Sequence, residues 1–545
     1  MIWGGLALWR QTAPPAADVE TAPLYVAVLP TDTPLPLAAE ASYMAGAFQI
    51  AMHRALLALD GVAVLAPEEV RAAYREDGHG SEGSEPSPTG LAPRLGVDEW
   101  IASRLVCEAA VCLLTLSRIL AADGRLAWTE SIEIPADEPL LMESVVAGRV
   151  ATAFPGREWR RAAPVLSVDR ADYRRFLELR RADLRGQKEV AGGGPVLSEL
   201  LAITESSPHF LDAYLLAGQV ARRRFFNSRD NKDLAQARTL IEGARELAPH
   251  DPRAWLATVD IEVESGRLEE AVAALDRLSE LQPGNVDVFI RRGYVLQRQG
   301  QSAEALELIE SAVLRRPSTL RLFDLANLQY RLGASQEARE HLEVLLARDP
   351  WSYQGKALLA EIELLHGSAE RAVDLWAELV TRAPDFASLS NLGLASMLTG
   401  DYRAAAHHFA RAVEMAPANA AAVLNLADVT LLAGRRDEAL DLYGEVLTLV
   451  EADPDPGDLA QLTVRAQALA RLERMSEAVT VLQQALHLAP DHPEVAYIAA
   501  LVHAIAGEWA SAEAHAKRAL ELGVEPRWFL FADFDPIRGP GRPLR

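Results

Sequence analysis

Few residues of this chain have the type and spacing to do chemistry. Gly78, Gly80 and Gly83 form a G-x-G-x-x-G string. Such a string cradles a nucleotide only between a strand and a helix start, where backbone N–H groups face the pyrophosphate. Here it follows a helical pattern and runs into S-E-P-S-P-T, so it reads as a Gly/Ser/Pro/Glu loop. No Walker-type Gly-Lys-Ser/Thr, kinase catalytic loop or G-x-S-x-G elbow occurs. His407 and His408 are adjacent on a helical stretch, about 100° apart around its axis, and cannot chelate as an i, i+4 pair would. The expectation is no catalytic residue, no metal site and no cofactor, and so not an enzyme.

Cys107 and Cys112 flank Glu108-Ala109-Ala110-Val111. If Ala109-Ala110 is a two-residue turn, the cysteines face each other as a non-hydrogen-bonded cross-strand pair, close enough for a disulfide. On a continuous strand they point to opposite faces and remain buried thiols. An oxidised pair would imply an extracytoplasmic location.

The elements that position any binding residue are set by three periodic markers. Pro249, Pro283, Pro317, Pro350, Pro384 and Pro417 recur at intervals of 34, 34, 33, 34 and 33 residues. Ala271, Ala305, Ala338, Ala372, Ala405 and Ala439 keep the same period, each five residues after a glycine (Gly266, Gly300, Gly333, Gly367, Gly400, Gly434). The alanine suits a helix crossing too close for a larger side chain. The glycine releases the first helix into its turn, and the proline resets the chain. Ala478 and Ala512 continue the series; Glu451–Gly457 stretches one unit, and an insertion near Arg222–Asp230 interrupts an earlier one. This pattern resembles the tetratricopeptide repeat. The resemblance implies a superhelix of about ten helix pairs whose first helices line the concave face.

Fourteen residues before each repeat alanine stand Ala257, Arg291, Asp324, Leu358, Asn391 and Asn425. Asn391 and Asn425 sit in matching N-L-G and N-L-A contexts, and an amide can both donate to and accept from an extended peptide backbone. They can equally satisfy neighbouring helix ends. Arg291, Asp324, Asn327 and Tyr330 extend a polar strip, and these six are the candidate peptide-binding residues. Lysine is nearly absent from the array, which argues against a two-carboxylate clamp.

Before the repeats, the pattern runs strand (Leu24–Pro30), helix (Pro36–Leu59), strand (Gly61–Leu65), helix (Pro67–Glu76), then a meander from Trp100 to Pro135 turning at Asp123-Gly124, and a helix from Glu138. V-A-V-L-P, Leu95-Gly96-Val97 and D-G-R-L-A-W-T-E together resemble the TolB amino-terminal-like domain. Thr31-Asp32-Thr33 and a short first hairpin depart from that pattern. The tail R-W-F-L-F-A-D-F-D-P-I-R resembles the aromatic-Asp-Pro-x-Arg ending of proteins with this architecture, and Trp528, Phe529, Phe531 and Phe534 read as a cap on the last repeat.

The fold class expected is mainly α, an α-α superhelix preceded by a small α/β domain. The expected divisions are 1–21 (apolar stub and Pro/Ala linker), 22–156 (TolB-like domain), 165–208 (capping helix pair), 209–527 (repeats) and 528–545 (aromatic cap and tail). The net charge of -23 argues against nucleic acid or an anionic membrane as partner, since both need a basic face. Met1–Trp9 is too short to span a bilayer, which takes about 20 residues. It reads either as a docked or disordered terminus, with a cytoplasmic protein, or as the end of a membrane helix, which would tether the chain on the periplasmic side. The function expected is a non-catalytic scaffold binding a protein or peptide on the concave face. The alternative is the regulatory or sensor half of a bacterial signalling protein of kinase, cyclase or winged-helix type.

Overall fold

Leu24–Val28 (β1) is apolar at every position, as a strand covered on both faces must be. In the computed structural model it lies inside a five-stranded sheet of order β2-β1-β3-β4-β5. The structure describes residues 22–33, 42–76, 88–108, 110–160, 166–184, 195–228, 230–452 and 457–538. The Met1–Trp9 run, the Gly78–Gly83 string, the expected helix start at Pro36, most of the Glu451–Gly457 insertion and the residues after Arg538 lie outside them.

The order within the sheet region is β1, α1 (Ser42–Leu57), β2 (Val62–Val64), α2 (Pro67–Glu76), α3 (Pro88–Leu95), β3 (Glu99–Glu108), β4 (Val111–Leu120), β5 (Leu126–Pro135) and α4 (Leu141–Ala153). β2, β1 and β3 are parallel, and β3 to β5 form an antiparallel meander. Helix α3 starts at Pro88, inside the S-E-P-S-P-T stretch expected to be loop. The first hairpin is long, with ten residues in each strand, and its register opposes Cys107 to Cys112. The two sulfurs are bonded, with the Cα atoms 3.9 Å apart.

From residue 170 the chain is helical. A pair, α5 (Arg170–Leu184) and α6 (Val196–Ser206), precedes nine hairpins among the described residues. The first helices of these hairpins are α7 (Leu211–Ser228), α9 (Pro252–Glu264), α11 (Val286–Arg298), α13 (Thr319–Arg331), α15 (Tyr353–His366), α17 (Phe386–Leu398), α19 (Ala420–Leu432), α21 (Leu459–Arg471) and α23 (Pro493–Ile505). The second helices are α8 (Asn231–Leu247), α10 (Leu268–Leu281), α12 (Ser302–Arg315), α14 (Ser335–Arg348), α16 (Ala369–Arg382), α18 (Tyr402–Met415), α20 (Arg436–Ala452), α22 (Met475–Leu488) and α24 (Trp509–Glu521). The periodic markers act as their chemistry requires. All eight repeat alanines from Ala271 to Ala512 are fully buried. Just after each proline, an Asp, Asn or Ser caps the next helix: Asp251, Asn285, Ser318, Ser352, Asp385 and Asn419.

The chain divides into two compact units, residues 1–351 and 352–545. The division falls inside the repeats, with four hairpins in the first unit and five in the second. In the first unit one apolar core runs from Val26 of β1 through α1, α4, α5 and α6 to Ile261 of α9, so the sheet and the first hairpins share a single interior. Within each unit successive first helices lie side by side, α7 with α9 and α11 with α13, then α15 with α17 and α21 with α23. Among the described residues no successive second helices approach to that extent, which puts the first helices on the inner face. No described helix is long and apolar enough to cross a membrane.

Candidate functional site

In the first unit the inner face is covered by the chain's own sheet domain. Tyr25, on β1, is buried and its hydroxyl donates to Asn285 Oδ1 (3.1 Å) and accepts from the Val286 N–H (2.7 Å). Asn285 is the N-cap of α11, so the phenol ties the sheet to a helix start. Arg316 lies 4.0 Å over the Tyr25 ring, pairs with Asp98 (2.6 Å) and donates to the Gly96 carbonyl (3.1 Å). Arg94 of α3 and Asp349 form a buried pair at 2.5 Å. A second knot joins Arg54 of α1 to Glu143 of α4 (3.3 Å) and to Asp212 of α7, which also accepts from Arg253 (2.7 Å).

A cavity of about 500 Å³ remains between the two layers. Gln49, Glu68 and Glu69 face it from the sheet domain, and Ala257, Asp287 and Arg291 from the first helices. Glu69 is half-buried there; burial pushes its carboxyl up to about 7, the Asp287 and Asp324 carboxylates add to the rise, and Arg291 and Arg321 oppose it. On the same wall, burial holds the His53 imidazole down at about 3, helped by Arg253.

The six candidate residues divide between the units. Arg291 lines the cavity and pairs with Asp260 at 3.2 Å. Asp324 accepts from the Tyr294 hydroxyl (2.9 Å), and burial raises its carboxyl to about 6 despite that bond. Asn327 hydrogen-bonds the same phenol, and Tyr330 is half-buried one turn further on. All four are thus engaged with neighbours, and the charges of Arg291 and Asp324 act on Glu69. Asn391 and Asn425 belong to the second unit, half-buried on α17 and α19. They occupy the repeat position that faces the cavity in the first unit at Ala257 and Arg291. Their amides make no side-chain hydrogen bond among the described residues.

The C-terminal segment was legible only in its apolar half. Of the four aromatics expected to cap the array, Phe529 and Phe534 are fully buried against Tyr497 of α23, at 5.4 and 5.8 Å, while Trp528 and Phe531 are half-buried. Its polar contacts had no sequence signal. Asp533 accepts two bonds of 2.8 Å from Arg471 at the end of α21, and Arg527 donates to carbonyls at the end of α15. His407 and His408 lie on α18 with their rings 5.4 Å apart. Among the described residues no three His, Cys, Asp or Glu side chains could hold a metal ion.

Residues 228–288 match one tetratricopeptide repeat model, and residues 290–350, 323–388, 391–457 and 463–523 match another. Pre-mRNA-processing factor 6 of Homo sapiens is 30% identical over 94 residues, 17% of this chain and 10% of that protein. BBSome complex member BBS4 of Bos taurus is 27% identical over 283 residues, 51% of this chain and 52% of that protein. The chain thus spans between a tenth and about half of the length of these relatives. Among solved structures, a tetratricopeptide repeat protein of Parabacteroides merdae is 19% identical, covering 44% of this chain and 93% of its own, with a TM-score of 0.37. YrrB, described as having an unusual peptide-binding site, is 19% identical over 35% of this chain and 96% of its own, with a TM-score of 0.27.

Proposed function

Because the chain belongs to the tetratricopeptide repeat family, we propose that it is a non-catalytic scaffold that binds a protein or peptide on the inner face of its second unit. One observation carries the choice of unit. The inner face of the first is covered by the chain's own sheet domain, and its candidate residues are engaged. Asn391 and Asn425, one repeat apart on α17 and α19, make no side-chain hydrogen bond among the described residues. Two amides at that spacing suit an extended backbone, which offers alternating donors and acceptors. Replacing both by Ala in the full-length chain tests this. Proteins retained from native extract, identified by mass spectrometry, should fall at least about tenfold, with Tm changed by no more than about 2 °C. Unfolding, or unchanged retention, rejects the amide role.

The sheet domain itself supports a second, narrower reading. Its strand, helix, strand, helix and meander order agrees with a TolB-like domain over 22–156. That in turn favours a regulatory half of a signalling protein whose effector lies elsewhere. Sequencing upstream of this reading frame tests it: an in-frame effector domain is expected, and an early stop codon rejects it.

A further inference from the structure

We infer that the segment Glu525–Arg538 is a built-in ligand of the inner face of the second unit, and that the partner of that face is a peptide presenting the same groups. These are an arginine, an aromatic residue two positions on, and an Asp-aromatic pair four and five positions beyond that. This rests on reading the face as a peptide-binding surface.

The observation behind it is reach. A cap need cover only the last hairpin, α23 and α24. This segment covers that hairpin with Phe529 and Phe534, and its side chains reach further, Asp533 to α21 and Arg527 to α15. Arg527 donates to the carbonyls of Leu364 (2.8 Å) and Gly367 (2.9 Å), at the C-terminal end of α15, four repeats before α23. Those carbonyls lack intrahelical partners and carry the negative end of the helix dipole, so a guanidinium suits them. Beside them His366 Nδ1 lies 2.9 Å from Glu525. One repeat before α23, Asp533 forms a bidentate pair with Arg471 of α21, a geometry specific to a planar guanidinium and a carboxylate. Arg471 is nearly buried, and Asp428 of α19, 3.8 Å away, orients it from behind.

The segment is also built to leave. Its turns, Pro526–Phe529 and Ala532–Phe534, close on local bonds such as Trp528 N–H to Glu525 O and Phe534 N–H to Phe531 O. Among the described residues no backbone-to-backbone hydrogen bond joins it to the inner-face helices. A segment held by side chains alone opens without disturbing the helical ladder. A tethered ligand has a millimolar effective concentration, so a free peptide competes only once the tether's contacts are weakened.

The test uses the full chain carrying Arg527→Ala and Asp533→Asn, which keeps both buried phenylalanines, and a labelled synthetic peptide of residues 525–538 with the unaltered sequence. Fluorescence anisotropy should give a Kd at least about tenfold lower for this variant than for the unaltered chain. Adding Arg471→Ala should abolish binding. Equal binding to both chains, or none by the variant at about 1 mM peptide, overturns the inference. So does a variant that no longer folds, since a displaceable ligand cannot be required for folding. Peptide binding that survives Asn391→Ala/Asn425→Ala but not Arg471→Ala sustains the inference and removes the amide reading. Retention of extract proteins without peptide binding does the reverse.

Discussion

Glu69, beside the first-unit cavity, changes its charge state near neutral pH. Its carboxyl is raised to about 7, against about 4.5 for an unfolded glutamate, by burial and by Asp287 and Asp324. Between those two values the folded chain holds a proton the unfolded chain has lost, so the group contributes stability that fades as pH rises from about 4.5 to 7. Asp324, raised to about 6, acts with the same sign. His53, held near 3, acts oppositely: its contribution grows as pH rises from about 3 to 6.5. Glu69→Gln removes one of these three and leaves the others. Thermal melts should show the variant more stable than its parent at pH 7.5 by roughly 1–2 kcal/mol, with the difference vanishing near pH 5. A constant difference across that range would refute the assignment. Nothing in the sequence points to this role, because an acid in the first turn of the helix Pro67–Glu76 needs no more than the positive helix end to explain it. The repeat register was legible because each position answers to a local rule. Gly400 and Gly434 adopt φ 81 and 80°, and Glu473, in the glycine's place before Ala478, still takes φ 61°. There the turn imposes its geometry on a residue that disfavours it. Gly367 is the counterexample, at φ -124°, in the turn whose carbonyls receive Arg527.

At the scale of elements, the contact between the sheet domain and the first helices depends on Gly96. Its φ of 60° disfavours any side chain, and a Cβ there would stand 2.8 Å from Ser318 Cβ and 2.7 Å from Arg321 Nη1. Ser318 is a fully buried N-cap of α13 and has no room to retreat. Gly96→Ala therefore combines backbone strain with a clash and should destabilise the first unit by roughly 2–3 kcal/mol. Hydrogen exchange should rise at the Val286 amide, which donates to Tyr25, and around Ser318. Unchanged exchange at both places would mean that the layers are held elsewhere. The sequence singled out Leu95-Gly96-Val97 only as part of a resemblance. Its use depends on Pro317 and Ser318, more than two hundred residues later, and no periodicity encodes a pairing of that span. The meander, by contrast, could be read from Asp123-Gly124, because the turn between β4 and β5 is local, with Gly124 at φ 69°, even though a bulge at Arg118/Ile119 shifts the register beside it.

At the scale of the whole molecule, the sheet domain covers the inner face of the first unit, whereas Glu525–Arg538 touches the second unit at α15, α21 and α23. Among the described residues it makes no side-chain hydrogen bond to Asn391 or Asn425 of α17 and α19. In repeat arrays each hairpin answers chiefly to its neighbours, so damage at one end should stay there. Arg94→Ala leaves Asp349 buried without its partner and should cost the first unit about 3–5 kcal/mol. Asp533→Asn removes one half of a partly exposed bidentate pair and should cost the second unit about 1–2 kcal/mol. The two sites share no residue, so the double variant should lose the sum of the single losses to within about 0.5 kcal/mol in denaturant unfolding. Exchange protection should fall in residues 22–351 for the first variant and 352–538 for the second. A coupling well beyond that margin would mean that the two ends act as one switch, with release of either end loosening the other. Additivity would leave the tail free to open for a partner while the sheet domain stays seated.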